Sequence, residues 1–284
     1  MKKILIIPDV HGRDFWRDSV IKTLTNTSAN IVFLGDYTDP YSSEWAPNFD
    51  YRQHTVDNFK EIIELKKQNP DRITLLLGNH DCGYAIGDNI CSSRMDWKHR
   101  PELEKIFKEN RKLFQIAEEC DIAGKHFVFS HAGILKGWVK SVWGDEADDT
   151  DFKVVDRLNN AWLVDDWNIL GRLGDYDTYR GWGGFQYGSP VWSDIRSWVK
   201  VTPEETYGFN IVGHTQLDDR QVVLDQIADL DCRKAFYIDD QGVLRSYDTD
   251  EECTKEVIPK DWRQRHTKIY CKIFWKYQIN NLYL

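Results

Sequence analysis

The sequence predicts an α/β protein whose core is a two-sheet β-sandwich flanked by helices. Three observations point there. Short β-branched apolar runs stop abruptly at Gly or Ser and lack period-2 alternation, as strands buried on both faces do. Stretches of helical period separate the first of these runs. A late pair of strand-like runs, Ala235–Asp239 and Val243–Tyr247, flanks the turn signal Asp240-Gln241-Gly242. The order begins βαβαβ and finishes with paired strands.

Element by element, Lys3–Pro8 reads as the first strand and runs into Asp9-Val10-His11-Gly12. Arg13–Thr27 reads as a helix. Ile31–Leu34 is the second strand, running into Gly35-Asp36-Tyr37-Thr38-Asp39, and His54–Gln68 the second helix. Ile73–Leu77 runs into Gly78-Asn79-His80-Asp81. Pro101–Glu119 reads as one helix, because Leu103, Ile106, Phe107, Phe114 and Ala117 recur at helical spacing behind a first-turn proline. Phe127–Phe129 runs into Ser130-His131-Ala132-Gly133, and Asn210–Val212 into Gly213-His214-Thr215.

Composition narrows the function classes. The 284 residues are 41 % hydrophobic and 29 % charged, which excludes collagen-like and disordered chains. Their number suits one domain, expected over 1–284 with a Trp-rich insertion around 138–200. Its apolar runs fall far short of the roughly 20 residues a membrane span needs. The run after Met1-Lys2-Lys3 is ended by Pro8 and Asp9, too early for an export signal. Six cysteines without a Cys-x-x-Cys pair read as reduced thiols. A soluble cytoplasmic protein is expected, with no membrane partner. The net charge of −9 argues against coating a phosphate backbone. Trp262–Leu284 is the exception, with five bases and no acid, and its alternation reads as a closing strand. The acidic run 145–151 reads as a solvated loop.

Ligands of open α/β sheets collect beyond the carboxyl ends of the strands. Five strand ends here carry Asp9, His11, Asp36, Asp39, Asn79, His80, Asp81, His131 and His214. Each residue alone has an ordinary structural explanation in turn chemistry. Packed together, the carboxylates would repel and raise one another's pKa, and a buried cation removes that conflict. The donors are carboxylate, imidazole and amide oxygen without thiolate, a set suited to Mn²⁺, Fe or Zn²⁺. Asp9 and His11 at i and i+2 project together from an extended chain. Asp36, with two oxygens, could bridge two ions about 3.5–4 Å apart, the arrangement that activates water against a phosphoryl group.

Asp9-x-His11-Gly12, Gly35-Asp36-x-x-Asp39, Gly78-Asn79-His80-Asp81, Ser130-His131-Ala132-Gly133 and Gly213-His214-Thr215 resemble, in order and spacing, the calcineurin-like metallophosphoesterase superfamily. Tyr37 and Val191-Trp192-Ser193-Asp194 resemble its phosphoprotein phosphatase branch, which includes diadenosine tetraphosphate hydrolases. The resemblance implies a four-layer α/β/β/α fold. It also implies a first metal on Asp9, His11 and Asp36, and a second on Asp36, Asn79, His131 and His214. His80 would protonate the leaving oxygen while Asp39 holds its other ring nitrogen. A bridging hydroxide would attack, with no phosphoenzyme.

The chain departs from that branch at two places. Pro40 stands where an arginine is usual, and Asp81 where Glu is usual. Arg196 is the expected substitute for the lost phosphate contact, with Arg13, Arg52, Arg94 and Arg180 as other candidates. The tryptophans from Trp138 to Trp198 read as a satellite core, or as an aromatic rim over the metals. Gly181-Trp182-Gly183-Gly184 lacks the Lys-Ser/Thr of a phosphate loop. The expected function is therefore metal-dependent hydrolysis of phosphomonoesters, on phosphoproteins or small phosphoesters. One alternative is a nucleotide or diadenosine-polyphosphate hydrolase. Another is a metal-binding scaffold that recognises phosphorylated partners without turnover, against which the presence of both His80 and Asp39 speaks.

Overall fold

The computed structural model describes residues 2–87, 90, 92–180 and 184–255, with Met1–Thr254 forming a compact unit. The closing strand expected within Trp262–Leu284, and Gly181-Trp182-Gly183, lie outside the described residues.

Two sheets make the core. The first has the order β11-β10-β1-β2-β3-β4, from Leu244–Ser246, Phe236–Asp239, Lys2–Ile7, Asn30–Phe33, Ile73–Leu76 and Phe114–Gln115. Strands β1 to β4 are parallel, and β10 and β11 add an antiparallel edge. The second sheet has the order β5-β6-β7-β9-β8, from Ala117–Ile122, Lys125–Ser130, Phe209–Val212, Ile227–Asp229 and Val222–Val223. In it β6, β7 and β9 run parallel, with β5 and β8 antiparallel at the edges. The central strands β1, β2, β3, β6 and β7 are apolar because both their faces are covered.

Helices α1 (Arg17–Asn26) and α2 (Tyr51–Gln68) pack on β1 and β3. Between the two faces, Tyr37 stacks on Phe59 with centroids 5.0 Å apart, and Phe59 meets Phe107 at 4.9 Å. Helix α3 (Asn79–Ala85) opens directly after β3, and α4 is Arg100–Glu109. The segment after β6 holds α5 (Lys136–Trp143), α6 (Val154–Val164), α7 (Trp167–Leu170) and α8 (Ile195–Trp198). Trp138, Trp162 and Trp198 are fully buried there, and Trp138 and Trp162 belong to the same hydrophobic core as Leu5, Phe33 and Leu75, so the core of this segment is continuous with the main one and not a satellite. The Trp138 indole donates to Asp175 at 3.2 Å and the Trp162 indole to the Arg111 carbonyl at 3.0 Å. The acidic run expected as a loop includes an exposed 3₁₀ turn, Gly144–Asp148.

Three element boundaries differ from expectation. The first helix begins at Arg17, four residues late, because Asp9 to Asp14 are spent on turns, with the Arg13 N–H on the Val10 carbonyl and the Arg17 N–H on that of Asp14. The second begins three residues early at Tyr51, where Asp50 caps the Gln53 N–H at 3.2 Å. The helix expected over Pro101–Glu119 stops at Glu109. Asn110 bonds back to the Ile106 carbonyl through its side chain at 2.8 Å, and the rest becomes a 3₁₀ turn, β4 and β5. Phe114 and Ala117 keep the helical spacing but bury their side chains from strands in two different sheets.

Candidate metal centre

The nine expected site residues lie just beyond five parallel strands. Asp9 and His11 follow β1, Asp36 and Asp39 follow β2, and Asn79 to Asp81 open α3 after β3. His131 follows β6 and His214 follows β7. All nine are buried. The turns that bring them together are tight. His11, Asp36, Asp39 and His214 all have positive φ, at 45°, 54°, 56° and 73°. Left-handed non-glycine residues are strained, and half of the eight among the described residues stand at this one place. The i, i+2 argument for Asp9 and His11 therefore fails in its geometry: β1 ends at Ile7, and His11 reaches the site from a turn. Two glycines are obligatory for the close approach. A Cβ on Gly78 would lie 2.1 Å from the Asp36 Oδ1, and one on Gly213 1.9 Å from the Asp9 Oδ2.

Ring orientations are set from outside. The His11 Nδ1–H donates to the Thr38 carbonyl at 2.7 Å and the His131 Nδ1–H to that of Leu34 at 2.8 Å. Because a carbonyl only accepts, each ring carries a proton on Nδ1 and turns Nε2 inward, the nitrogen that metal-binding imidazoles held this way offer. The His11 Nε2 lies 3.3 Å from the Asp36 Oδ2. The His131 Nε2 lies 3.5 Å from that same oxygen and 4.0 Å from the Asp9 Oδ1. It also faces the Asn79 Oδ1 at 3.0 Å, and the His214 Nδ1 sits 2.9 Å from that oxygen. Each of these nitrogens can share either a proton or a cation with the Asn79 oxygen. His214 Nε2, by contrast, is buried with no hydrogen-bond partner among the described residues.

Electrostatics point the same way. Burial, then the neighbouring Asp9, pushes the Asp36 carboxyl well above its ordinary range. Burial, then the His80, Arg13 and Arg94 charges, pushes the His11 imidazole well down. His214 is lowered by burial and Arg180. Two groups of candidate ligand atoms lie within 4.8 Å of one another, His11 with Asp36 and His80, and Asp9 with Asp36 and His131. Asp36 belongs to both. The donor set, and an Asp36 carboxylate buried beside Asp9 and common to both groups, fit two cations.

Beside this centre, the His80 Nδ1–H donates to the Asp39 Oδ2 at 2.8 Å. Asp39 also accepts from Ser92 Oγ at 2.6 Å, the Asp96 N–H at 3.2 Å and the Tyr84 hydroxyl. Burial opposes the Asp39 charge, but these donors, His80 first, hold its carboxyl below the usual range. His80 is itself lowered, by burial first, with Asp39 pulling up and Arg94 pushing down. Asp81 has a role the sequence reading missed. Its Oδ2 accepts the Asp36 N–H at 2.7 Å and the Gly78 N–H at 2.9 Å, and its Oδ1 the Tyr37 N–H at 3.0 Å. It ties the turn after β2 to the start of α3 and so places Asp36. That a carboxylate follows Asn79-His80 was the available signal, but two of the three backbone donors it meets come 44 and 45 residues earlier.

The arginines divide. Arg13 pairs with Glu44 at 2.7 Å and Arg52 with Asp96 at 2.9 Å. Arg196, the expected phosphate ligand, instead makes a bidentate pair with Asp194 at 2.7 and 2.8 Å and reaches the Tyr179 carbonyl. Arg180 also pairs with Asp194, at 2.9 Å, and reaches the Thr215 hydroxyl at 3.0 Å. Arg94 is the one that meets His80, its Nη2 lying 3.2 Å from Nε2. On the opposite side, Trp192 sets its ring edgewise to His214 at 5.5 Å. Three tryptophans are thus buried in the core and a fourth, Trp192, stands against His214.

Asp194 carries a stability prediction. Burial disfavours its charge, but Arg180 and Arg196 more than offset this and hold the carboxyl below its usual value. A depressed folded pKa adds stability that is complete above the ordinary carboxylate pKa near about 3.9, and is lost as pH falls through the folded value. Asp194→Asn should therefore cost about 3 kcal/mol at pH 7, as broken buried pairs do, and much less at acid pH once the folded carboxyl has itself taken a proton. Urea midpoints across pH measure this; a pH-independent deficit contradicts it.

The calcineurin-like phosphoesterase family model matches residues 2–216. A probable serine/threonine-protein phosphatase of Encephalitozoon cuniculi is 32 % identical over 143 residues, 49 % of this chain and 28 % of that protein's length. A cold-active protein-tyrosine phosphatase of a psychrophilic Shewanella superposes with a TM-score of 0.57 at 14 % identity, covering 89 % of this chain and 81 % of its own. A further structure of a cold-active protein tyrosine phosphatase gives 0.56 at 16 % identity, covering 90 % and 79 %. At such identities the superpositions show the shared fold.

Proposed function

Because the chain belongs to the calcineurin-like phosphoesterase family, we propose that it hydrolyses phosphomonoesters, with phosphorylated side chains of proteins as the substrate class. One observation carries the reading: Asp36 is shared by two clusters of buried ligand atoms, His11 with His80 and Asp9 with His131, and Asp39 holds the other ring nitrogen of His80. The likeness to a probable serine/threonine-protein phosphatase of Encephalitozoon supports the choice of phosphoproteins over other phosphoesters.

In this reading Asp9, His11 and Asp36 hold one ion, and Asp36, Asn79, His131 and His214 the other. When bound, the ions supply Lewis-acid stabilisation of phosphoryl charge and water acidified enough to attack at neutral pH. The chain's own residues do the rest. The Thr38 and Leu34 carbonyls fix the tautomers of His11 and His131 so that Nε2 is available. Asp81 holds the turn that aims Asp36. Asp39 fixes the His80 ring so that Nε2 faces the reacting group and can carry a proton to the departing oxygen. Tyr41 and Trp192 stand edgewise against His11 and His214 and pack those rings in place.

The test is a substrate screen on protein loaded with Mn²⁺, Fe or Zn²⁺. Phosphoseryl, phosphothreonyl and phosphotyrosyl peptides are set against p-nitrophenyl phosphate and diadenosine polyphosphates. Turnover of the peptides with release of inorganic phosphate is the expected result. Cleavage of the dinucleotides alone would move the enzyme to nucleotide hydrolysis, and binding without release would make it a scaffold.

A further inference from the structure

We propose that Arg94 grips the phosphoryl oxygens of the substrate, and that its charge makes the site selective for dianionic phosphomonoesters over monoanionic phosphodiesters. The inference rests on the phosphoesterase reading above and extends it to the charge state of the substrate.

The first observation is a mount. The Asp39-Pro40-Tyr41 turn holds the guanidinium from two sides. The Arg94 Nε donates to the Asp39 carbonyl at 3.3 Å, and its carbon lies 3.6 Å over the Tyr41 ring centroid. Tyr41 in turn abuts His11, ring centroids 5.2 Å apart and nearly perpendicular. A guanidinium stacked on a tyrosine face and tethered through Nε has little freedom left, and it keeps its outer N–H groups for something else.

The second observation is what those outer groups meet. The Nη2 points at the His80 Nε2, 3.2 Å away, on the side of the ring that faces the centre. Among the described residues no carboxylate pairs with Arg94, whereas Arg13, Arg52, Arg180 and Arg196 each have one. The opposite charge that Arg94 faces across the site is Asp36, and two metal ions held in that cluster would leave the half-buried guanidinium unbalanced. An anion placed between Arg94 and the cluster restores the balance, and a planar fork of N–H donors matches the oxygens of a phosphoryl group.

The chemistry then sets the substrate charge. A phosphomonoester presents two negative charges on three non-bridging oxygens, enough to face the metal pair and still offer an oxygen to Arg94. A diester has one charge and two such oxygens, and its second ester group would occupy the space in front of the guanidinium. A charge-assisted hydrogen bond contributes about 1.5–3 kcal/mol, roughly a 10- to 100-fold change in an equilibrium.

The experiment uses Mn²⁺-loaded full-length protein as wild type, Arg94→Ala and Arg94→Lys, with p-nitrophenyl phosphate, bis-p-nitrophenyl phosphate and inorganic phosphate. Arg94→Ala should lower kcat/KM for the monoester 10- to 100-fold and leave the diester within about 3-fold. It should raise the Kd for inorganic phosphate, read by calorimetry, by the same 10- to 100-fold with metal content unchanged. Arg94→Lys keeps the charge without the fork and should fall between the two. Equal losses on monoester and diester, an unchanged phosphate Kd in either variant, or failure of the wild type to bind phosphate would overturn the inference. Wild type that binds phosphate through Arg94 but cleaves neither ester would overturn the enzymatic reading and leave the phosphate contact standing.

Discussion

Asp36→Asn is expected to abolish binding at both metal positions and to lower turnover by at least about 10³-fold. The geometry makes this residue different from the other ligands. Its Oδ2 lies 3.3 Å from the His11 Nε2 and 3.5 Å from the His131 Nε2, so one oxygen addresses both clusters. Its Oδ1 accepts the His80 N–H at 2.9 Å, which orients the carboxylate. An asparagine can keep that second bond with its carbonyl, and then the NH₂ group faces the two imidazole lone pairs where a ligand is required. An amide nitrogen offers no lone pair to a cation, and the bridging charge is gone. Metal ions contribute several kcal/mol to phosphoryl transfer, and about 4 kcal/mol is 10³-fold in rate.

A second measurement separates loss of metal from damage to the fold. Burial and Asp9 hold the Asp36 carboxyl well above its ordinary range, so without metal its charge is a liability at neutral pH. A raised carboxyl pKa in the folded state disfavours folding above the unfolded value, and the neutral amide escapes that penalty. Metal-free Asp36→Asn should therefore unfold at a denaturant midpoint equal to or above that of metal-free wild type. Addition of Mn²⁺ should raise the midpoint of the wild type alone, because only a ligand bound to the native state stabilises it. Two ions per chain at wild-type affinity in the variant would contradict the bridging assignment.

Much of the centre was legible because its chemistry sits where apolar runs break. A strand such as Ile4–Ile7 announces itself by composition, and the residues after it have no apolar task, so Asp9 and His11 stand out. The ordering of five such breaks carried the fold. The shortest strands of the second sheet were not legible. β8 and β9 are two and three residues long; β9 is placed by pairing with β7, and β8 by pairing with β9, more than by their own pattern. The segment after Asn110 was misread because Phe114 and Ala117 preserve a helical period by coincidence while feeding two separate sheets. Arg94 was one name among several for a related reason. It comes from a stretch without strand or helix pattern, and only the tertiary packing on Tyr41 and His80 distinguishes it from Arg196, which is engaged by Asp194.

His80→Ala is expected to keep the metals and to lose rate in proportion to how badly the substrate needs a proton. The His80 ring sits 5.0 Å from the His11 ring, edge to face, with Nδ1–H fixed on Asp39 and Nε2 directed toward the centre. In the resting structure the Nε2 lone pair accepts from Arg94. A proton on Nε2 and the Arg94 N–H compete for that one lone pair, so His80 becomes an acid only when Arg94 turns to another acceptor. A bound phosphoryl group is such an acceptor, and Asp39, kept ionised by four donors, then favours the imidazolium. Alkyl and seryl oxygens leave poorly as alkoxides, whereas nitrophenolate leaves well unaided. General acid catalysis contributes typically about 10²–10⁴-fold, and that is the loss expected for His80→Ala on seryl phosphates. The loss on p-nitrophenyl phosphate should be within about 10-fold. Asp39→Asn should follow the same pattern more mildly, since it removes only the charge that favours protonated His80. The measurement is log kcat against leaving-group pKa for wild type and both variants at constant metal content. A steeper slope for His80→Ala is expected; parallel lines, or a variant that has lost a metal ion, would make His80 a ligand or a structural residue and not the acid.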